Sequence, residues 1–386
     1  MLALRLARGT HPLVLVRRLL VAAASAGVGF LLLAALGYAS AHPASAGSVL
    51  RLLWCLIPLA ATVQFAVAVA RTDPSTRPRP GLSSVGLGPV RLSVLAAVST
   101  AVSTTLGSMV ALLFFLHLRG DLTGMPFDGG AAEFLGAGAP LPLAAALMLL
   151  ALVPVASATA SALALRSRPD AARDPFGSDE LPEPAPAPAG LPWGVALTAA
   201  GLAIEAYASR EATGHAFPLP GRFDATPVAV LAGWTLTAIG LAMAGPGLAH
   251  LCGRALQAVR PGAVRLLAGR VLMDEAHRIG RPLGIVCAVL SAALAASTLY
   301  GGGERPWGPL TALGALLVLG CTTATLLTSA LEAKQARAHT AQALLRMGAP
   351  ASALRAATAL RAAALLAVFA PLTWLIAELA ALPLTP

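Results

Sequence analysis

Apolar residues along this chain gather into long runs separated by short segments rich in Arg, Pro, Gly and Asp. An α-helix rises about 1.5 Å per residue, so about 20 apolar residues cross a hydrocarbon core about 30 Å thick. Nine runs meet or approach that length, at 19–41, 49–70, 92–118, 141–165, 193–209, 226–251, 282–300, 309–330 and 360–382. The fifth is the weakest, being short and carrying Glu205. The first follows a basic start, but Leu19 to Ala41 is too long for a signal-peptide core of about 7–15 residues and reads as an anchor that stays. The pattern predicts an all-α polytopic membrane protein with about nine transmembrane helices.

Composition agrees and removes the soluble alternatives. Of the 386 residues, 57% are hydrophobic and 11% charged, and the mean hydropathy is +0.77. A water-facing globule of this length needs many more charges on its outside, whereas lipid covers an apolar exterior unaided. The net charge of +10 would point to nucleic acid in a soluble protein, but here its division between loops matters more. Assigned alternately to two sides, segments 1–18, 71–91, 166–192, 252–281 and 332–361 hold 22 of the 27 basic residues. The other side holds only Arg51, Arg119, Arg210, Arg222 and Arg305. Basic loops stay cytoplasmic, so a plasma-membrane protein is expected with its N-terminus inside and its C-terminus outside. The stretch 166–192, acidic and Pro-rich toward its end, reads as a flexible cytoplasmic linker. The longest outer loop, about 119–140, is too short for a folded outer domain.

The two ends of the chain echo each other in layout. Each opens with a basic amphipathic stretch before a span, LALRLARGTHPLVLVRR in one and VRLLAGRVLMDEAHRIGR in the other. A span, a short outer loop and a second span follow. Then comes a cytoplasmic segment in which a glycine, flanked by apolar and basic residues, leads directly into the next span: RPGLSSVGLGPVRLSVLAAVS, with Gly86, Gly88 and Arg91, and RAHTAQALLRMGAPASALRAATALRAAALL. Placing Gly88 on Gly348 superposes the two.

The second of these segments, through Leu344, Leu345, Arg346, Met347, Gly348 and Ala349, resembles the cytoplasmic stretch of FtsX/MacB-like ABC transporter permeases. The resemblance covers about 25 residues closely and the rest by architecture. It implies two related four-span units with two extra spans between them: 1–165 as the first unit, 166–192 as linker, 193–251 as the inserted pair, and 252–386 as the second unit. That second unit is expected to lack its fourth span, and no large outer domain is present to imply a substrate. It also implies an ABC ATPase subunit as partner, pairing with a second copy or a related permease, and a coupling role for the two elbows Leu82–Arg91 and Gln342–Arg355.

The physics of the second elbow stands apart from the family name. Ala343, Leu344, Met347, Ala351 and Leu354 fall near helical spacing, while Arg337, Arg346 and Arg355 bring positive charge to the inner headgroups. Gly348, Ala349 and Pro350 are expected to break the helix and turn the chain upward. Such an elbow suits reception of force from a soluble partner, or simple anchoring on anionic lipid.

Catalytic motifs do not accompany it. A P-loop needs a lysine after its glycines, and the one lysine, Lys334, sits in LEAKQ. No enzyme activity, cofactor, metal or nucleic-acid partner is expected, and ATP hydrolysis is assigned to a separate chain. Cys55, Cys252, Cys287 and Cys321 lie in apolar surroundings without metal spacing and read as packing residues. Intramembrane acids are functional candidates by default; Glu205 and Glu378 are read either as side chains reaching the headgroups or making a local hydrogen bond, or as a substrate or proton site. The hydroxyl-rich faces of the third span (Ser99, Thr100, Ser103, Thr104, Thr105, Gly107, Ser108) and the eighth (Gly314, Gly320, Thr322, Thr323, Thr325, Thr328, Ser329) are read as helix packing or as a polar path. The leading expectation is therefore the membrane subunit of an ABC-type exporter or mechanotransmission complex acting on an amphiphile or peptide. A secondary transporter working without an ATPase and a non-transporting scaffold are the alternatives.

Overall fold

The computed structural model describes residues 12–42, 46–73, 89–122, 129–132, 135–166, 188–210, 228–258, 262–300 and 308–381. Among these the chain forms eleven helices and no strand: α1 (Pro12–Ala41), α2 (Ala46–Trp54), α3 (Leu56–Thr72), α4 (Pro89–Arg119), α5 (Leu143–Leu165), α6 (Gly190–Arg210), α7 (Val228–Gln257), α8 (Ala263–Tyr300), α9 (Pro309–Ala336), α10 (Ala338–Arg346) and α11 (Ala351–Ala381). Eight helical stretches are long and apolar enough to cross a bilayer, and the protein is an all-α, multi-pass membrane protein.

Every expected span has a helix, with two informative differences. The span expected at 49–70 is two helices, α2 and α3, parted at Cys55. Pro58 is the cause: it has no N–H to offer, and its ring crowds the carbonyl four residues earlier, at Trp54, where α2 ends. The Cys55 amide instead shares the carbonyls of Arg51 (3.3 Å) and Leu52 (3.2 Å). Elsewhere helices outrun the expected spans. The 38 residues of α8 make a rod about 57 Å long, running without interruption from the basic stretch at 264–281 through Pro282 into the apolar half. Charge marks where the lipid stops, and the backbone hydrogen-bond ladder continues past it.

The chain divides into two compact units. One comprises α1 to α5 with the first part of α9, up to Thr325. Here α1 is the hub, packed against α2, α3, α4 and α5. Val28, Leu31, Leu32, Leu59, Val153 and Leu317 form one part of its core; Leu33, Phe115, Leu135 and Leu150 form another. The α1–α4–α5 contact is sealed by hydroxyls: Ser25 Oγ donates to the Thr104 carbonyl (2.7 Å) and Ser108 Oγ to the Leu150 carbonyl (3.2 Å). Thr100, Thr104, Gly107 and Ser108 of the third span's small face are buried, and Thr105 is exposed. The opposite side of α4 presents Leu106, Met109, Leu113 and Phe114 outward.

The other unit contains α6, α7, α8, the rest of α9 from Leu326, α10 and α11. Its close packing is between α6 and α7, α7 and α8, and α8 and α11. The first two contacts run on glycine. A methyl group built on Gly245 would strike the Gly280 carbonyl, and one on Gly280 would lie 2.5 Å from the Pro246 Cα. Further along α7, Gly233 and Gly240 face Gly201 and Gly194 of α6 in the same manner. Backbones approach this closely only where side chains are absent, and the reward is dispersion contact plus short-range dipole interactions in a medium where apolar burial alone drives nothing. The α8–α11 contact is of the larger kind, with Cys287, Ala288, Phe369 and Ile376 in its core.

Candidate functional site

The elbow Gln342–Arg355 lies within the described residues. Helix α10 ends at Arg346, and the turn that follows uses three backbone hydrogen bonds: Met347 N–H to Ala343 O (3.0 Å), Gly348 N–H to Leu345 O (3.1 Å) and Ala349 N–H to Leu344 O (3.0 Å). The last two are the paired bonds of a Schellman cap, which needs a left-handed residue between them. Gly348 supplies it with φ +90°, the region an L-side chain enters only at a cost. Pro350 precedes α11 and accepts, through its carbonyl, the Ala353 amide (3.0 Å). The break expected at Gly348, Ala349 and Pro350 is thus built from the chain's own hydrogen bonds.

What the elbow shows to its surroundings is mixed. Leu345 (45%) and Met347 (75%) are exposed, as are Arg346, Gly348 and Arg355, while Leu344 and Ala349 are half-buried. Among the described helices α10 takes part in none of the close packings. Of the first elbow, Leu82–Arg91, residues 82–88 with Gly86 and Gly88 lie outside the described residues, and Arg91 is exposed in the first turn of α4.

Just before the elbow, and in the same compact unit, lies a feature that the sequence reading did not single out. Glu275 of α8 is buried to 8% exposure. Its Oε1 is 2.7 Å from Nε of Arg337, the residue between α9 and α10, and its Oε2 is 3.7 Å from Nη1 of Arg361 on α11. Arg361 is steadied in turn by Thr358 Oγ1 (3.0 Å) and the Ala357 carbonyl (3.3 Å). One carboxylate therefore joins three helical elements. Exposed ion pairs are worth little, but a buried one is costly to break, because the partner left behind stays desolvated. A signal for Glu275 was present: Ala268, Leu272, Glu275 and Ala276 are buried at helical spacing, so the acid falls on the inward stripe of α8 and not among its wet residues.

The two acids expected within spans part company. Glu205 is 1% exposed and receives a hydrogen bond from Thr237 Oγ1 on α7 (3.3 Å), and its Oε2 lies near the Trp234 indole N–H without a hydrogen bond of normal geometry. Glu378 is exposed on α11. In the eighth span, Thr322, Thr325 and Thr328 are buried while Gly320 and Thr323 are exposed. The hydroxyls of Thr322, Thr323 and Thr325 bond carbonyls of their own helix. Cys55, Cys252, Cys287 and Cys321 are all buried free thiols, and Cys287 accepts a hydrogen bond from Thr373 Oγ1 (3.0 Å) across the α8–α11 contact.

No protein-family model, no curated protein and no solved structure matches the chain.

Proposed function

We propose that the chain is the membrane subunit of an ABC-type exporter or mechanotransmission complex, and that a separate ATPase acts on it through the elbow at 342–355. The observation that carries this reading is an exposed short helix, α10, bearing Leu345 and Arg346, capped by exposed Met347 and joined by a glycine turn to a long apolar helix. A soluble protein docks best on apolar anchors set among positive charge, and α10 together with Met347 and Arg355 offers both. The cap fixes the angle at which the elbow meets α11, so a push on α10 reaches the apolar helix as a tilt and is not absorbed by a loose loop. The resemblance of 343–366 to FtsX/MacB-like permeases, the concentration of basic residues on alternate loops and the lack of a P-loop in the chain support the same reading, with the elbow on the cytoplasmic side. An amphiphile or peptide is the substrate class that the resemblance implies.

The test is purification from mild detergent followed by identification of the chains that come with it. An ATPase subunit is expected, lost on reversing the charge of Arg346 and Arg355 together. An ATPase that binds these variants and is stimulated by them as by the wild type would overturn the assignment. Glu205 favours a second reading, a secondary transporter: a buried carboxylic acid in an apolar helix is a default site for a proton or cation. Proton-coupled uptake into liposomes containing this chain alone, abolished by Glu205→Gln, would establish that reading in place of the first.

A further inference from the structure

We infer that Glu275 is a positioning residue that holds the junction between α9 and α10, so that the elbow moves together with α8 and α11 and not on its own. The inference rests on the reading of α10 as the element that receives force, and deepens it by naming how that force is passed on. Three observations converge on it. The junction itself is weak: α9 and α10 are parted at Arg337, whose backbone is right-handed but off the helical line at φ −89°, ψ −5°, and α10 has no close packing partner among the described helices to restrain it. The residue at that weak point is the one whose guanidinium reaches Glu275 at 2.7 Å. And Glu275 grips a second arginine, Arg361, on the helix that leaves the elbow on its far side. The carboxylate thus bridges the entry to the elbow and the exit from it, Arg337 and Arg361, 24 residues apart in sequence, through an anchor on α8.

Both arginines are also tethered within their own helices, Arg337 Nε by the Ala333 carbonyl (3.1 Å) and Arg361 by Thr358 and Ala357. Their side chains are therefore held in place for Glu275 instead of being recruited from solvent, which lowers the ordering cost of the pairs. A bistable switch would need an alternative partner for the freed arginines. Among the described residues the ion pairs of Arg337 and Arg361 go to Glu275, and Asp274, next to it on α8, is exposed. The arrangement is that of a clamp.

Amide hydrogen exchange of the full chain in detergent, read peptide by peptide, tests it. Glu275→Gln is expected to quicken exchange over Ala338–Arg346 about tenfold, the change that loss of one restraining pair produces in a local opening equilibrium. Arg337→Gln, which leaves the Glu275–Arg361 pair in place if the first variant fails to fold, is expected to do the same. The double variant should be no faster than either single one, Glu275→Asp should restore most of the protection, and Arg270→Gln, exposed on α8, should change nothing. Exchange in α10 that is unaltered by Glu275→Gln and Arg337→Gln, or that rises equally in every helix, overturns the clamp. With an ATPase partner in hand, Glu275→Gln is expected to keep binding it while losing its stimulation, whereas the Arg346/Arg355 reversal loses binding itself. If no ATPase accompanies the wild type, the functional reading falls and the exchange data still decide the clamp.

Discussion

At Gly348 a single hydrogen atom in place of a side chain decides the geometry of the elbow. Space is not the issue, since a methyl group built there meets nothing within 4 Å. The backbone is the issue, because φ +90° costs an L-residue about 1–2 kcal/mol. Gly348→Ala is therefore expected to open the Schellman cap without a steric clash, seen as faster amide exchange at Gly348 and Ala349 while the helices on either side keep their protection. The glycine was legible in the sequence because a lone Gly before Ala-Pro and after a helical pattern admits few conformations. The acids were legible only in part. Glu205 and Glu378 are both single acids toward one end of an apolar run, and distance from the end does not say which face of a helix a residue is on. The structure separates them by burial, and accordingly Glu378→Lys is expected to leave the thermal midpoint in detergent unchanged. Glu205→Lys, which would put a longer chain of the opposite charge against Gly233 and Thr237, is expected to abolish folding. Glu275 escaped because a carboxylate in a basic stretch between apolar runs looks solvated until the stripe it shares with Leu272 and Ala276 is noticed.

Between elements, the glycines of α6, α7 and α8 do what the sequence reading had looked for in the hydroxyls of the third and eighth spans. In a chain with 37 glycines no one of them stands out, yet Gly194 and Gly201 of α6 and Gly233, Gly240 and Gly247 of α7 recur every seven residues, which keeps them on one face of a helix. The third span's Ser and Thr serve packing as well, but by hydrogen bonds to α1 and α5. The eighth span's Gly320 faces open space, so glycine content alone is a poor guide to contact. The two situations make opposite forecasts. Gly280→Leu must push α8 off the Pro246 backbone and is expected to cost about 1–3 kcal/mol, the range for overpacking a tight contact. Gly320→Leu should stay within about 0.5 kcal/mol of wild type. Thermal unfolding in detergent, followed by loss of the monodisperse species, ranks them; equal midpoints would mean that α7 and α8 do not pack through glycine.

On the scale of the whole molecule, the question is how many times the chain crosses. Eight helical stretches among the described residues are long and apolar enough to cross, and the alternation of basic loops requires α6, the short helix that carries Glu205, to cross as well. Hydropathy adds up every residue of a helix, whereas lipid meets only those on its outer side. In α6 the small and polar residues Gly194, Thr198, Gly201 and Glu205 recur at helical spacing and lie against α7. Among its large residues Trp193, Val195, Ile204 and Tyr207 are exposed, a surface that hydrocarbon and its interfaces accept. A helix can thus carry a buried acid and still be apolar where it counts, provided its neighbour covers the rest. Nine crossings put the two termini on opposite sides, and eight put them on the same side. Reporters active on only one side of the membrane, fused after Pro386 and inserted in the segment 211–227 between α6 and α7, are therefore both expected to report the face opposite to residues 1–11. If both report the same face as residues 1–11, α6 does not cross, the basic loops of the second unit change sides, and the elbow at Gly348 faces away from any cytoplasmic ATPase.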